Sequence, residues 1–365
     1  MASATPMAAG GLGDNAARLV KTPSCGNNFF MPKPNSYRPF QPDPAQVALI
    51  PEISGNAING LGESAPRRPR LVYWAPDPDT IPHGAMQRWF YKVNPDHPAL
   101  VRAREQRAQM ASETMPEVTG APVQRVPEDW NAALAALPED RQFGASDDRL
   151  FDMWGVAQMD PHWVYEGQTV TQSRIIMLGF AHDYAEIETA PEPEAGAEVV
   201  KQYGRAMRAA KRVAGWLRLQ GWDAEPLTGP MTSKVMMIPP AIACGFGELG
   251  KHGSIINQEF GSSFRLSAVL TDAPFAPTPK RCFNVDSFCE SCRVCENACP
   301  PEAIAPYKQT VRGVEKWYVD FDRCLPFFNQ TFGCAICISA CPWSRPGVGF
   351  NLAAKLARRS ERTTS

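Results

Sequence analysis

Eight of the chain's eleven cysteines fall between Cys289 and Cys341, and that crowding constrains the fold more than anything else in the 365 residues. The other three, Cys25, Cys244 and Cys282, are scattered upstream. A cluster of thiols is either oxidised to disulfides or bound to metal, and the compartment decides between the two. The N-terminus, MASATPMAAGGLGDNAARLVK, has no basic region followed by an apolar core. Arg67 and Arg68 lie too deep, with no apolar stretch after them, to be a twin-arginine signal. A reducing, cytoplasmic location is therefore expected, where clustered thiols are metal ligands.

The spacing agrees. Cys289-x2-Cys292-x2-Cys295-x3-Cys299 is followed by Pro300, and Cys324-x9-Cys334-x2-Cys337-x3-Cys341 by Pro342. The first run has the spacing of bacterial two-cluster ferredoxins, in which three thiolates hold one cluster and the fourth is carried to the other. The second is the same motif with its first cysteine displaced upstream. Crossed ligation predicts two 4Fe-4S clusters, one on Cys289, Cys292, Cys295 and Cys341, the other on Cys324, Cys334, Cys337 and Cys299. A pair of tetrahedral zinc sites is the competing reading, but zinc does not call for two C-x2-C-x3-C-P endings. Two clusters make an electron wire, whose terminus must lie upstream.

The 37 Lys and Arg balance 38 Asp and Glu, so the formal net charge is -1 and bulk electrostatic binding of nucleic acid is not expected. No apolar run approaches the roughly 18 residues a membrane span requires. The 35 prolines crowd the N-terminal part. In TPSCGNNFFMPKPNSYRPFQPDP they exclude long helices. Phe29, Phe30, Tyr37 and Phe40 there predict an extended arm over 1–70 packed on a partner surface, with a disordered tail as the alternative. An α/β domain is expected over 71–272. LVYW from Leu71, RIIMLGF from Arg174 to Phe180, and FRLSAVLT read as strands. A helix over 197–220 carries an apolar stripe of Val199, Tyr203, Met207, Ala210, Ala214 and Leu217 and is stopped by Gly221. IPPAIACGFGELGKHG reads as a second helical stretch, APFAPTPKR as a linker, 273–350 as the cluster module and 351–365 as a tail. No G-x-G-x-x-G follows a strand, no P-loop is present, and His83, His97, His162, His182 and His252 show no paired metal spacing.

The block GFGELGKHGSIINQEFGSSFRLSAVLTD, followed by CESCRVCENACPPEAI and KWYVDFDRCLPFFNQTFGCAICISACPWSRP, resembles the catalytic subunit of corrinoid-dependent reductive dehalogenases, from about Tyr203 to Pro346. The resemblance implies an α/β (α+β) fold, with a nitroreductase-like corrinoid-binding domain followed by a ferredoxin-like module with two 4Fe-4S clusters. It also implies a base-off cobalamin, reduced to Co(I) by low-potential electrons, that cleaves a carbon–halogen bond while a tyrosine delivers the proton. By resemblance that tyrosine is Tyr203, opening the helix QYGRAMRAAKRVAGWLRLQGW, and its arginine partner is Arg265 in EFGSSFR, 62 residues on. Lys234 in GPMTSKVMM is a second cation, unless Thr232 holds that place. A guanidinium stays charged in a dry pocket and stabilises phenolate, so the pairing suits proton delivery. The structural alternatives are core filling for Tyr203 and an ion pair from Arg265 to Glu259 or Asp272. Gly245, Gly247, Gly250 and Gly253 are assigned to close backbone approach to the corrin or its nucleotide tail, with Glu248 orienting their loop. A tight helix-to-strand connection would use the same glycines. No D-x-H-x-x-G motif supplies a histidine to cobalt.

Respiratory members of the family carry a twin-arginine signal and work with a membrane anchor, so this chain looks like the soluble, cytoplasmic branch. With no reductase domain after NLAAKLARRSERTTS, an external ferredoxin, flavodoxin or reductase is the expected electron donor. The expected substrate is a small, apolar, halogenated organic compound, with Trp154, Trp163, Phe180 and Trp216 as candidate pocket walls. A different leaving group is an alternative. So is a relative of epoxyqueuosine reductase, which shares the cobalamin and cluster layout but acts on tRNA and uses an aspartate near cobalt. Arg205, Arg208, Lys211, Arg212 and Arg218 would form its basic patch, although they read as the solvated face of their helix. A non-catalytic electron or corrinoid carrier would need neither Tyr203 nor Arg265.

Overall fold

The computed structural model describes residues 37–94, 96–137, 149–229 and 234–364. Cys25, Phe29, Phe30 and Thr232 lie outside these described residues. A helical N-terminal region, α1 (Pro44–Val47), α2 (Gly55–Asn59), α3 (Gly84–Val93), α4 (Pro98–Ser112) and α5 (Pro127–Ala136), precedes β1 (Met153–Gln158), β2 (Arg174–Ala181), α6 (Tyr184–Ile187) and α7 (Pro193–Leu219). Then come β3 (Ala224–Leu227), α8 (Ile238–Ala243), β4 (Glu248–Leu249), β5 (Ile255–Ile256) and β6 (Phe264–Thr271). The C-terminal part holds α9 (Val285–Ser291), α10 (Val294–Ala298), β7 (Gln309–Val311), β8 (Val314–Lys316), α11 (Phe321–Gln330), α12 (Ile336–Ser339) and α13 (Val348–Thr364).

Four strands form one sheet in the order β1-β2-β6-β3, and every neighbouring pair is antiparallel. The mixed fold is thus of the α+β kind. β2 is buried on both faces, which is why it reads as a continuous apolar run rather than an alternating one. Ile176, Leu178 and Phe180 join a core with Ala206, Ala210, Val213 and Leu217 of α7, closed by Trp130 and Phe275. Ile175 and Met177 point the other way, into a second core with Phe246, Ala268 and Leu270. Each such fully buried large side chain contributes about 1.5–3 kcal/mol of transfer free energy. Pro226 is tolerated in β3 because that strand lies at the sheet edge.

Several elements depart from the expectation. LVYW is not a strand: Trp74 takes φ 66 and packs its ring on Phe90, Tyr91 and Phe328. β1 escapes the sequence pattern because Gly155 interrupts it. A side chain there would meet the Cys244 carbonyl, 2.6 Å from an ideal Cβ. α7 starts at Pro193, earlier than 197, since proline is tolerated in a first helical turn. The same rule admits α4 and α5, headed by Pro98 and Pro127, into a proline-rich region. IPPAIACGFGELGKHG is helical only over α8, and Gly245 at φ 89 ends it.

The described part of the N-terminal arm packs on the cysteine-rich part of its own chain. Arg38 donates from Nη2 to the carbonyls of Cys299 at 2.5 Å and Glu296 at 3.1 Å. Tyr37 and Phe40 meet Phe327 edge-on. Gly55 N donates to Asp322 at 2.8 Å, and Asn56 Nδ2 to Asp320 at 2.8 Å. At the other end, α13 runs across residue 350, so the expected tail continues a helix.

Candidate functional site

The cysteines are delivered by short helices and their ends. Cys289 lies in α9, Cys292 caps it, Cys295 lies in α10 and Cys299 caps that helix. Cys324 sits in α11 and Cys337 in α12, while Cys334 and Ala335 take positive φ of 55 and 72 to turn the chain between them. The thiols sort into two neighbourhoods. Cys341 is in electrostatic reach of Cys295, Cys289 and Cys292; Cys337 is in reach of Cys334, Cys324 and Cys299, with Cys295 as its weakest neighbour. These are the two crossed sets. Burial pushes Cys289 up to about 11, and Cys295, Cys334 and Cys341 up to about 12; Cys299, Cys324 and Cys337 are raised by the same cause. Buried thiols grouped by four gain their charged form from bound metal. Among the described residues, eight thiols and no histidine or carboxylate make up these two neighbourhoods, a donor set suited to iron–sulfur clusters.

The glycine-rich loop belongs to the same neighbourhood. Glu248 accepts hydrogen bonds from the amides of Phe283 and Val285, the latter at 3.3 Å, which ties the linker to the start of α9. Gly247, at φ 147, lets the chain pass Ile256, whose carbonyl would lie 2.0 Å from an added Cβ. Gly245 approaches Pro279, Gly250 approaches Ile256 and Gly253 approaches Val319. None of the four lines either cavity beside Tyr203, so what they pack against is their own chain.

Tyr203 and Arg265 do meet. The Arg265 guanidinium stands 5.2 Å from the Tyr203 ring centroid. Arg265 is in β6 opposite Phe180 of β2, and α7 brings Tyr203 over it. Among the described residues its buried Nε has no hydrogen-bond partner and neither Glu259 nor Asp272 pairs with it; Asp272 instead accepts from the Ser173 amide at 2.7 Å. His182, just beyond β2, hydrogen-bonds Ser263 Oγ at 3.3 Å. Burial and then the Arg265 charge hold it well below its usual pKa, so it adds no second cation. The apolar stripe of α7 divides in function: Ala210, Ala214 and Leu217 face the sheet, whereas Val199 and Tyr203 line a cavity.

That cavity, of about 320 Å³, is walled by Trp74, Phe90, Tyr91, Phe328 and Phe332, with Arg104 and Arg107 of α4 and Cys334 of the second thiol set. A second, of about 360 Å³, shares Trp74, Tyr203 and Arg265 with the first and continues past Gly229, Met237, Ile238 and Ile255. Among the described residues neither lining contains an Asp or Glu. The sequence reading missed these aromatics, of which only the FF of CLPFFNQTF gave a visible signal.

Other expected site residues lie elsewhere. Lys234 is half-exposed and pairs with Glu225 at 2.5 Å, drawn away by a carboxylate on edge strand β3. Phe180 and Trp216 fill the core, and Trp154 and Trp163 pack against the two cores. The basic residues of α7 do not form a solvated face. Arg205 pairs with Asp152 at 2.7 Å and Arg208 with Glu113 at 2.6 Å; Lys211 donates to Glu113 O and Arg218 to Ala224 O. They fasten neighbouring segments onto the helix.

The comparisons with known proteins fall on this geometry. Residues 288–344 match the 4Fe-4S dicluster domain. A tetrachloroethene reductive dehalogenase of Desulfitobacterium hafniense is 32% identical over 208 residues, covering 53% of this chain and 37% of that protein. Over about half of its length the chain is thus similar to the reductive dehalogenases. It thus spans well under half the length of the curated dehalogenase it matches. A catabolic reductive dehalogenase of known structure superposes with a TM-score of 0.64 at 20% identity, over 84% of this chain and 46% of that one, which establishes the shared fold. An epoxyqueuosine reductase of Synechococcus is a more distant relative, 29% identical over 183 residues, covering 42% of this chain and 51% of that protein. The chain thus shares the mixed α/β fold of that dehalogenase structure and carries a 4Fe-4S dicluster domain.

Proposed function

We propose that the protein is a cobalamin-dependent oxidoreductase that cleaves a carbon–halogen bond reductively. The overall reaction takes up two electrons and one proton, replaces halogen by hydrogen and releases halide. The observation that carries the proposal is the meeting of Tyr203 and Arg265 at a wall shared by two cavities. The largely apolar second cavity, with Gly229 in its wall, suits the corrin. When bound, cobalamin as Co(I) supplies the electrons, delivered from an external donor through the two clusters.

Tyr203 holds the proton that replaces the halogen. Arg265, with no carboxylate paired to it among the described residues, faces the phenolate left behind and stabilises it. The aromatic walls of the first cavity exclude water and suit a planar apolar compound, and the guanidinium groups of Arg104 and Arg107 favour one bearing an anionic substituent. Cys334, in the same wall, would hold one cluster close to the cavity. The missing carboxylate in both linings, and the tethering of the α7 cations, argue against the epoxyqueuosine-type reading.

The test is Tyr203→Phe, loaded with clusters and cobalamin under anaerobic conditions. The variant is expected to bind and reduce the corrinoid normally and to lose at least a hundredfold in halide release, within the usual range for general acid catalysis of about 10²–10⁴. Full turnover would remove the proton-donor assignment.

A further inference from the structure

Lys251 is the feature that the proposed chemistry leaves unexplained. Its side chain is only 1% exposed, an unusual situation for a lysine, which is almost never fully buried without a partner. Nζ donates to the Cys292 carbonyl at 2.8 Å, lies 5.0 Å from the Trp317 ring centroid and is 3.7 Å from Glu296 Oε2. Trp317 is itself buried and packs in one cluster with Cys289 and Cys341. The Lys251 backbone amide lies against the Cys289 thiol, and the ammonium acts on both Cys289 and Cys295. The cation is thus inside the wall of one thiol set. Glu296 offsets it only in part, because that carboxylate is also held by Arg293 at 2.5 Å. The second set, at Cys299, Cys324, Cys334 and Cys337, has no such cation among the causes acting on Cys324, Cys334 or Cys337. Arg38, at its edge, acts on Cys299 alone of these four.

We propose that Lys251 is a positioning residue that sets the reduction potential of the cluster held by Cys289, Cys292, Cys295 and Cys341, raising it relative to the other. A cluster ligated by four thiolates is negatively charged and gains one further negative charge on reduction. A fixed buried cation stabilises the reduced form more than the oxidised one, and in a desolvated wall it is screened little. Net charge and hydrogen bonding near the sulfurs are the levers by which a protein sets such potentials. Lys251 supplies both, from a loop that also reaches the second cavity at Ser254 and Ile255. The loop that the sequence reading gave to the corrin therefore acts on the wire as well. The inference rests on the cluster assignment and not on the halogenated substrate, so the two stand or fall separately.

The experiment is a redox titration of the two-cluster protein followed by electron paramagnetic resonance, without corrinoid or substrate. It compares wild type with Lys251→Met, Lys251→Gln and Lys251→Arg. At the solution potential that half-reduces the affected wild-type cluster, both neutral variants are expected to show a reduced-to-oxidised ratio at least tenfold lower, which is 59 mV for a one-electron couple. The other cluster keeps its midpoint, and Lys251→Arg stays within threefold of wild type. Lys251→Gln retains an N–H donor for Cys292, so it separates charge from hydrogen bond. Ratios within twofold of wild type in both neutral variants, at full iron content, would overturn the proposal. So would loss of the cluster or an equal shift in Lys251→Arg, because the side chain would then act through its shape.

Discussion

Replacing Arg265 by Met separates a chemical role from a structural one. At the observed 5.2 Å between guanidinium and ring centroid, and an effective dielectric near 20, a phenolate at Tyr203 is stabilised by about 3 kcal/mol. Removing the charge should therefore slow proton delivery roughly a hundredfold, at 1.36 kcal/mol per decade. Stability is expected to move the other way or not at all. The guanidinium has a buried Nε without a partner and no paired carboxylate, so Met relieves a desolvated charge while losing a cation–π contact of about 0.5–2 kcal/mol. The assay pairs halide release from reconstituted protein with a thermal melt. Turnover within threefold of wild type would refute the electrostatic argument. A melting temperature several degrees lower would show that Arg265 is a structural tie.

Crossed ligation predicts that Cys341→Ser and Cys289→Ser lose the same cluster, with about half of the iron retained in each, whereas Cys299→Ser loses the other; iron and sulfide counts with resonance spectra check this. Glu248→Ala strands the amides of Phe283 and Val285 and should cost about 2–3 kcal/mol in denaturant unfolding. Burial drags His252 down to about 4, whereas an unfolded histidine titrates near 6.5. Below pH 6.5 the unfolded chain takes up the proton first, so stability falls toward pH 4 by up to about 1.4 kcal/mol per unit; His252→Asn should flatten that slope in melts at stepped pH. Arg107→Gln should weaken binding of a halogenated benzoate, read by quenching of cavity tryptophan fluorescence, while leaving its neutral amide unchanged.

What the sequence disclosed depended on how local the signal was. The cysteine runs were legible because most of the ligand spacing is local, and residues 288–344 match a 4Fe-4S dicluster domain. β2 was legible because a strand buried on both faces needs a nearly uninterrupted apolar run. β1 was not, since its glycine answers to the Cys244 backbone far away in sequence. The cavity was the least legible part. Trp74, Tyr91 and Phe332 come from three separate segments of the sequence, which meet beside Tyr203 only in the folded chain. Lys234 shows the converse: its place in the sequence suited the site, but Glu225 on the adjacent strand holds it elsewhere.

The central claim is most directly tested by electron bookkeeping. Anaerobically purified protein, with both clusters and cobalamin loaded, is given reduced viologen and a panel of haloarenes and haloalkenes, and viologen oxidation is measured against halide released. Stoichiometric corrinoid and two electrons consumed per halide are expected. Failure to bind corrinoid, or viologen oxidation without halide from any compound, would contradict the claim.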